Sequence, residues 1–145
     1  MLRGINRRSG LIADAIKLSV GILLTSSVGA NANPSSLSNV PGDAIRGKII
    51  VENRQQGLCV LCHQVPGGDE RFQGNLAPTL AGVGRRLNEA QLRARMIDSR
   101  SINPESIMPS YFKVDGFERL APTLHGKTLL TAQQIEDVVA YLKEL

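Results

Sequence analysis

Five consecutive residues carry the most chemistry in this sequence: Cys59-Val60-Leu61-Cys62-His63. Two thiols three positions apart fall on one side of a helical turn, and the imidazole after the second lies beside them. The 145-residue chain has two cysteines, and both are here. C-x-x-C-H is the attachment pattern of c-type haem. Each thiol adds across one vinyl group, and His63 is then placed to ligate the iron. Other uses of these residues fit less well. A disulfide between Cys59 and Cys62 would close almost no loop. A thioredoxin-like dithiol needs a βαβ setting that the chain lacks. A zinc ion would have to draw on Cys59, Cys62, His63 and His125, yet adjacent residues such as Cys62 and His63 rarely both reach one tetrahedral ion.

The second axial ligand decides what such a haem does. A thioether raises the potential and closes the sixth position, which suits electron transfer. Met96, Met108 and His125 are the candidates. Met96 stands at helical spacing from Leu92 and reads as packing. Met108 lies in the irregular segment Ile107-Met108-Pro109, where proline stiffens the chain around it. Met108 is therefore the expected ligand, and His125 reads as a loop histidine. The Pro78 carbonyl is a candidate acceptor for the Nδ1–H of His63, a bond that would fix the imidazole tautomer. Arg85, Arg86, Arg93, Arg95 and Arg100 form a basic stretch that reads either as a solvated face or as a contact for anions or an acidic partner.

Helices must position these groups. Asp43 is placed to cap a helix over about residues 43–56, with Ile45, Ile49 and Ile50 on one face and Gly57 at its end. Residues 66–86 are dense in glycine and proline and read as loop. Asn88 caps a second helix, about 89–99, with Leu92, Met96 and Ile97 turned inward. Residues 100–128 contain three prolines and two glycines and should be irregular. Thr131 and Gln134 make a capping box for a last helix, in which Ile135, Val138, Val139 and Leu142 follow the i, i+3, i+4, i+7 pattern. With no strand pattern anywhere, the expected class is all-α with long irregular loops. The seven-residue near-repeat LAPTLAG (76–82) and LAPTLHG (120–126) is too short for a repeat architecture and reads as shared loop chemistry.

Residues 1–32 read as a signal peptide: Arg3, Arg7, Arg8 and Lys17, a mostly apolar run over 18–30, then Ala30-Asn31-Ala32 at the cleavage position. Residues 33–44 read as a flexible lead-in, and 45–145 as the functional domain. The formal charge of +4 belongs mostly to the leader, since residues 33–145 hold 13 basic and 12 acidic side chains. The high overall charge is therefore no evidence for nucleic-acid binding. The chain has no Trp, three Phe and two Tyr, so a buried planar cofactor would supply apolar area that aromatic side chains do not.

Together, the haem motif, the APTLAGVG loop (77–84), the Met108-Pro109 loop and the amphipathic last helix resemble class I cytochrome c. That resemblance implies a first helix packed near Gly47 against a last helix near Tyr141. INPESIMPSYF (102–112) and TAQQIEDVVAYL (131–142) resemble the SoxX family more closely, over about residues 45–145. SoxX proteins are mono-haem subunits of the SoxAX complex of bacterial thiosulfate oxidation. The resemblance implies one covalent haem c held by Cys59 and Cys62, with His63 and Met108 on the iron. It also implies a periplasmic heterodimer with a SoxA-type cytochrome, where the oxidative coupling of thiosulfate to a carrier-protein cysteine takes place. Electrons would leave through a small soluble cytochrome c. In such a complex this chain is the non-catalytic electron-transfer subunit of a thiosulfotransferase. A free-standing class I shuttle and a haem enzyme or sensor with an open sixth position are the alternatives.

Overall fold

The structure is a computed structural model that describes residues 35–145. The expected signal peptide, 1–32, and the first two residues of the lead-in lie outside the described residues. Four α-helices occur among the described residues, with no strand: α1 Ala44–Glu52, α2 Val83–Arg86, α3 Glu89–Asp98 and α4 Ala132–Glu144. Short 3₁₀ turns cover Cys59–Leu61, Glu70–Phe72, Ser99–Ser101 and Pro122–Leu124.

Helix α4 is the axis, because α1, α2 and α3 all pack against it. Its capping box forms as expected, with Thr131 Oγ1 accepting from Gln134 N and Gln134 Oε1 accepting from Thr131 N. Ile135, Val138, Val139 and Leu142 are buried in the core, which also takes Ile50, Val51, Leu92, Met96, Tyr111 and Leu130. Asn88 and Gln91 close an equivalent box at the start of α3. The α1–α4 crossing is where the resemblance puts it. A Cβ on Gly47 would stand 1.9 Å from the Asp137 carbonyl oxygen and 2.9 Å from the Tyr141 Cβ, so only glycine lets the two backbones come this close.

Helix α1 departs from expectation in face and in length. Its inward residues are Gly47, Ile50 and Val51. Ile45 and Ile49 are 76% and 61% exposed. At 3.6 residues per turn Ile45 lies about 140° around the helix from Ile50, and the glycine crossing decides which side faces α4. The helix stops at Glu52 rather than near 56. The Asn53 side chain takes the Gln55 and Gln56 N–H groups, which starts a separate turn before Gly57.

Two neighbouring acids on α4 are buried, which hydrophobic spacing alone did not indicate. Glu136 accepts from Arg93 Nε at 2.7 Å and Nη2 at 2.8 Å, and from the Leu37 N–H at 2.9 Å. Asp137 accepts from Arg46 Nε and Nη2, each at 2.8 Å, and from the Asp43 N–H. Residues 37–43, within the segment expected to be a flexible lead-in, are thereby tied to α4.

The near-repeat has a structural basis. Leu80–Val83 and Leu124–Lys127 each close with an N–H to carbonyl bond of 3.1 Å, and Gly82 and Gly126 sit at φ of 67° and 68°. Both are β-turns that need a left-handed third residue, so glycine recurs there.

Candidate haem site

A left-handed Leu58, at φ 59°, leads into the turn Cys59–Leu61. The Cys62 and His63 N–H groups both bond to the Cys59 carbonyl, at 3.1 and 2.9 Å, which coils the five-residue motif into about one turn. The following loop lies along it. Gly74 N bonds to Val60 O, Ala77 N to Cys62 O and Leu80 N to Gln64 O. This brings the Pro78 carbonyl 2.6 Å from His63 Nδ1. A carbonyl can only accept, so Nδ1 carries the proton and Nε2 keeps its lone pair for a metal. The bond from His63 to the Pro78 carbonyl is therefore present.

The methionine segment is fastened to the end of α3. Ser99 Oγ donates to the Met108 carbonyl at 2.7 Å. Tyr111 N bonds to Met96 O, and Leu130 N to Tyr111 O. Asp98 accepts from Ser110 Oγ at 2.6 Å and Lys113 Nζ at 3.2 Å. The Ser110 bond, aided by Lys113, outweighs partial burial and holds the Asp98 carboxyl below its ordinary value.

These segments meet in one cavity of about 460 Å³, within the ~300–1,000 Å³ range of cofactor and ligand sites. Cys59, Cys62, His63 and Met108 all line it. Its walls are mostly apolar, with Leu61, Leu76, Leu80, Val138 and Leu142 among them. Met96 also reaches it, from a fully packed place in α3. His125 does not line it and bonds instead to the Leu120 carbonyl. Among the described residues no three His, Cys, Asp or Glu side chains converge as a metal cluster, which leaves no zinc set of the kind considered above.

The donor set fits haem c. Two unpaired thiols, an imidazole with a free Nε2 and a thioether share one apolar cleft. Burial pushes the Cys59 thiol up to about 11 despite hydrogen bonds that pull the other way. A redox dithiol works with a thiol lowered toward neutrality, and this one is shifted the other way. Burial also keeps the Tyr111 hydroxyl protonated, as a hydrogen-bond donor.

The basic stretch divides: Arg93 is buried, while Arg85, Arg86 and Arg100 are exposed. Arg93 is 6% exposed. Arg86 braces the loop around Pro78 by donating to the Ala81 and Thr79 carbonyls at 2.6 and 3.1 Å. Arg100 donates to the Ser106 carbonyl next to Met108, and Arg95 to the Gln91 carbonyl within its own helix. Tyr111 is the site residue that sequence reasoning missed. Its only sequence signal was an aromatic three positions after Met108.

A helical shell around an apolar cleft that presents C-x-x-C-H and a loop methionine defines a c-type cytochrome. Comparison agrees: the cytochrome c family model matches residues 44–145. Among solved structures, a chain in the crystal structure of SoxXA from P. pantotrophus is similar, with 40% identity and a TM-score of 0.69, covering 76% of this chain and 86% of that one. No curated protein matches the chain. The chain belongs to the cytochrome c family, and within it to the SoxX-type cytochromes, which makes it an electron-transfer protein with covalent haem c.

Proposed function

We propose that this chain is the electron-transfer subunit of a thiosulfate-oxidising Sox complex, partnered by a SoxA-type cytochrome. The observation that carries the reading is the shared cleft of Cys59, Cys62, His63 and Met108 in a chain 40% identical to one in SoxXA. Cys59 and Cys62 are the thioether anchors. His63 Nε2 and the Met108 sulfur would hold the iron. When bound, the haem supplies a one-electron iron couple. Pro78 holds His63 in the metal-binding tautomer, Ser99 holds the Met108 loop, and the apolar walls exclude water. No third cysteine exists in this chain, so the sulfur chemistry belongs to the partner. The complex works on a carrier-protein cysteine, and a small soluble cytochrome c takes the electrons away. Residues 1–32 direct export to the periplasm and are removed there. No helix of the described residues is long and apolar enough to cross a membrane.

The test is gentle purification from a periplasmic extract. The expected protein begins at Asn33, arrives with a second haem-staining subunit and is reduced by thiosulfate when the carrier protein is present. A lone haem protein that thiosulfate leaves oxidised, yet exchanges electrons with other cytochromes, would replace this reading with a free-standing shuttle.

A further inference from the structure

Tyr111 is 2% exposed, and its hydroxyl donates to the Gly57 carbonyl at 2.6 Å across 54 positions of sequence. Gly57 lies two residues before Cys59, and Tyr111 lies three residues after Met108. The bond therefore joins the cysteine-bearing segment directly to the methionine loop. Both ends of this strut are themselves fixed. Tyr111 is held through its backbone by Met96 and Leu130, and the Gly57 N–H bonds to Asn53 O.

The Gly57 carbonyl has a second donor, the Cys59 thiol, at 3.2 Å. Thioether formation removes it. The sulfur gains a bond to one vinyl carbon, the S–H bond breaks, and that hydrogen ends on the other vinyl carbon. No oxidant is consumed. Afterwards Cys59 has no hydrogen to donate, and the buried carbonyl depends on Tyr111. A buried acceptor left unpaired is costly, so attachment strengthens the demand for this one bond.

We infer that Tyr111 is a positioning residue that sets the Met108 loop against the cysteine segment, so that losing its hydroxyl loosens the sixth ligand. The inference rests on the proposed roles of Cys59 and Met108. It assigns to one phenol oxygen the task of keeping the two halves of the site in register after haem attachment.

Carbon monoxide binding to the reduced holoprotein reads the looseness of the sixth ligand. Tyr111→Phe keeps the ring and removes the oxygen. It is expected to bind carbon monoxide about tenfold faster than wild type, the scale of one lost buried hydrogen bond, with haem content unchanged and a lower reduction potential. Tyr141→Phe, at a buried tyrosine of the helix crossing, should leave both readouts in place. Met108→Ala separates the failures. If it binds no faster than wild type, the methionine assignment falls. If it binds readily while Tyr111→Phe matches wild type and only melts earlier, Tyr111 merely packs. Should Tyr111→Phe not accumulate with haem, the Tyr141→Phe protein leaves Tyr111 as the sole tyrosine of the chain. Proton NMR of its reduced form should then show one slowly exchanging tyrosine hydroxyl, and a freely exchanging one would overturn the inference.

Discussion

Met108 and His125 divide the sixth-ligand assignment at the level of single residues. Met108 lines the cleft with His63, while His125 faces elsewhere and bonds to the Leu120 carbonyl. Met108→Ala should therefore open the iron. Carbon monoxide binds readily, and the reduction potential falls by on the order of 100 mV, because a thioether favours reduced iron. His125→Ala should change neither. Voltammetry and stopped-flow on the two variants check this, and a potential that moves with His125 alone would exchange their roles. Much at this scale was readable from the sequence. The cysteine and histidine spacing is short-range, so local geometry fixes it. The Pro78 acceptor was one candidate from the sequence, and the structure supplies the bond. Tyr111 was not readable, because its partner is a backbone carbonyl 54 positions away. A carbonyl has no residue type to recognise.

At the scale of elements, capping explains why α3 and α4 start where expected: each box involves residues three apart. Which side of α1 is buried depends on the Gly47 crossing, which is a tertiary fact. Hydrophobic spacing over Ile45, Ile49 and Ile50 could not supply it. The arginines mislead for a similar reason. Arg93 reads as surface by type, yet its side chain spans from α3 to Glu136 on α4 with both partners buried. Breaking a buried pair by removing one member leaves an uncompensated charge and costs about 3–5 kcal/mol, whereas replacing both with apolar groups is often neutral. Arg93→Met should accordingly lower the unfolding free energy of the holoprotein, read from urea titration, by an amount in that range. Arg93→Met with Glu136→Leu should recover more than half of the loss, the remainder being the Leu37 N–H that Glu136 also holds. A double variant no better than the single one would mean that the pair stabilises by attraction rather than by mutual neutralisation.

Across the whole molecule, Glu136 and Asp137 join four parts of the chain: the segment before α1, α1 itself, α3 and α4. Burial opposes the charge on each, but the Arg93 bonds at Glu136 and the Arg46 and Gln133 bonds at Asp137 prevail, and both carboxyls are held below their ordinary values. The unfolded chain returns them to about 4.3 and 3.9. Between those values and the lower folded ones, unfolding takes up protons, so stability falls as the pH falls. Their contribution is complete above about pH 5 and disappears as the folded values are passed. Glu136→Gln with Asp137→Asn leaves the haem ligands untouched, so the difference between variant and wild type isolates the two acids. Urea midpoints measured from neutral pH down to about pH 3 should show the variant well below wild type at neutrality, with the gap narrowing only below about pH 5. A gap constant across the range would mean that these carboxyls act through shape and hydrogen bonding and not through charge.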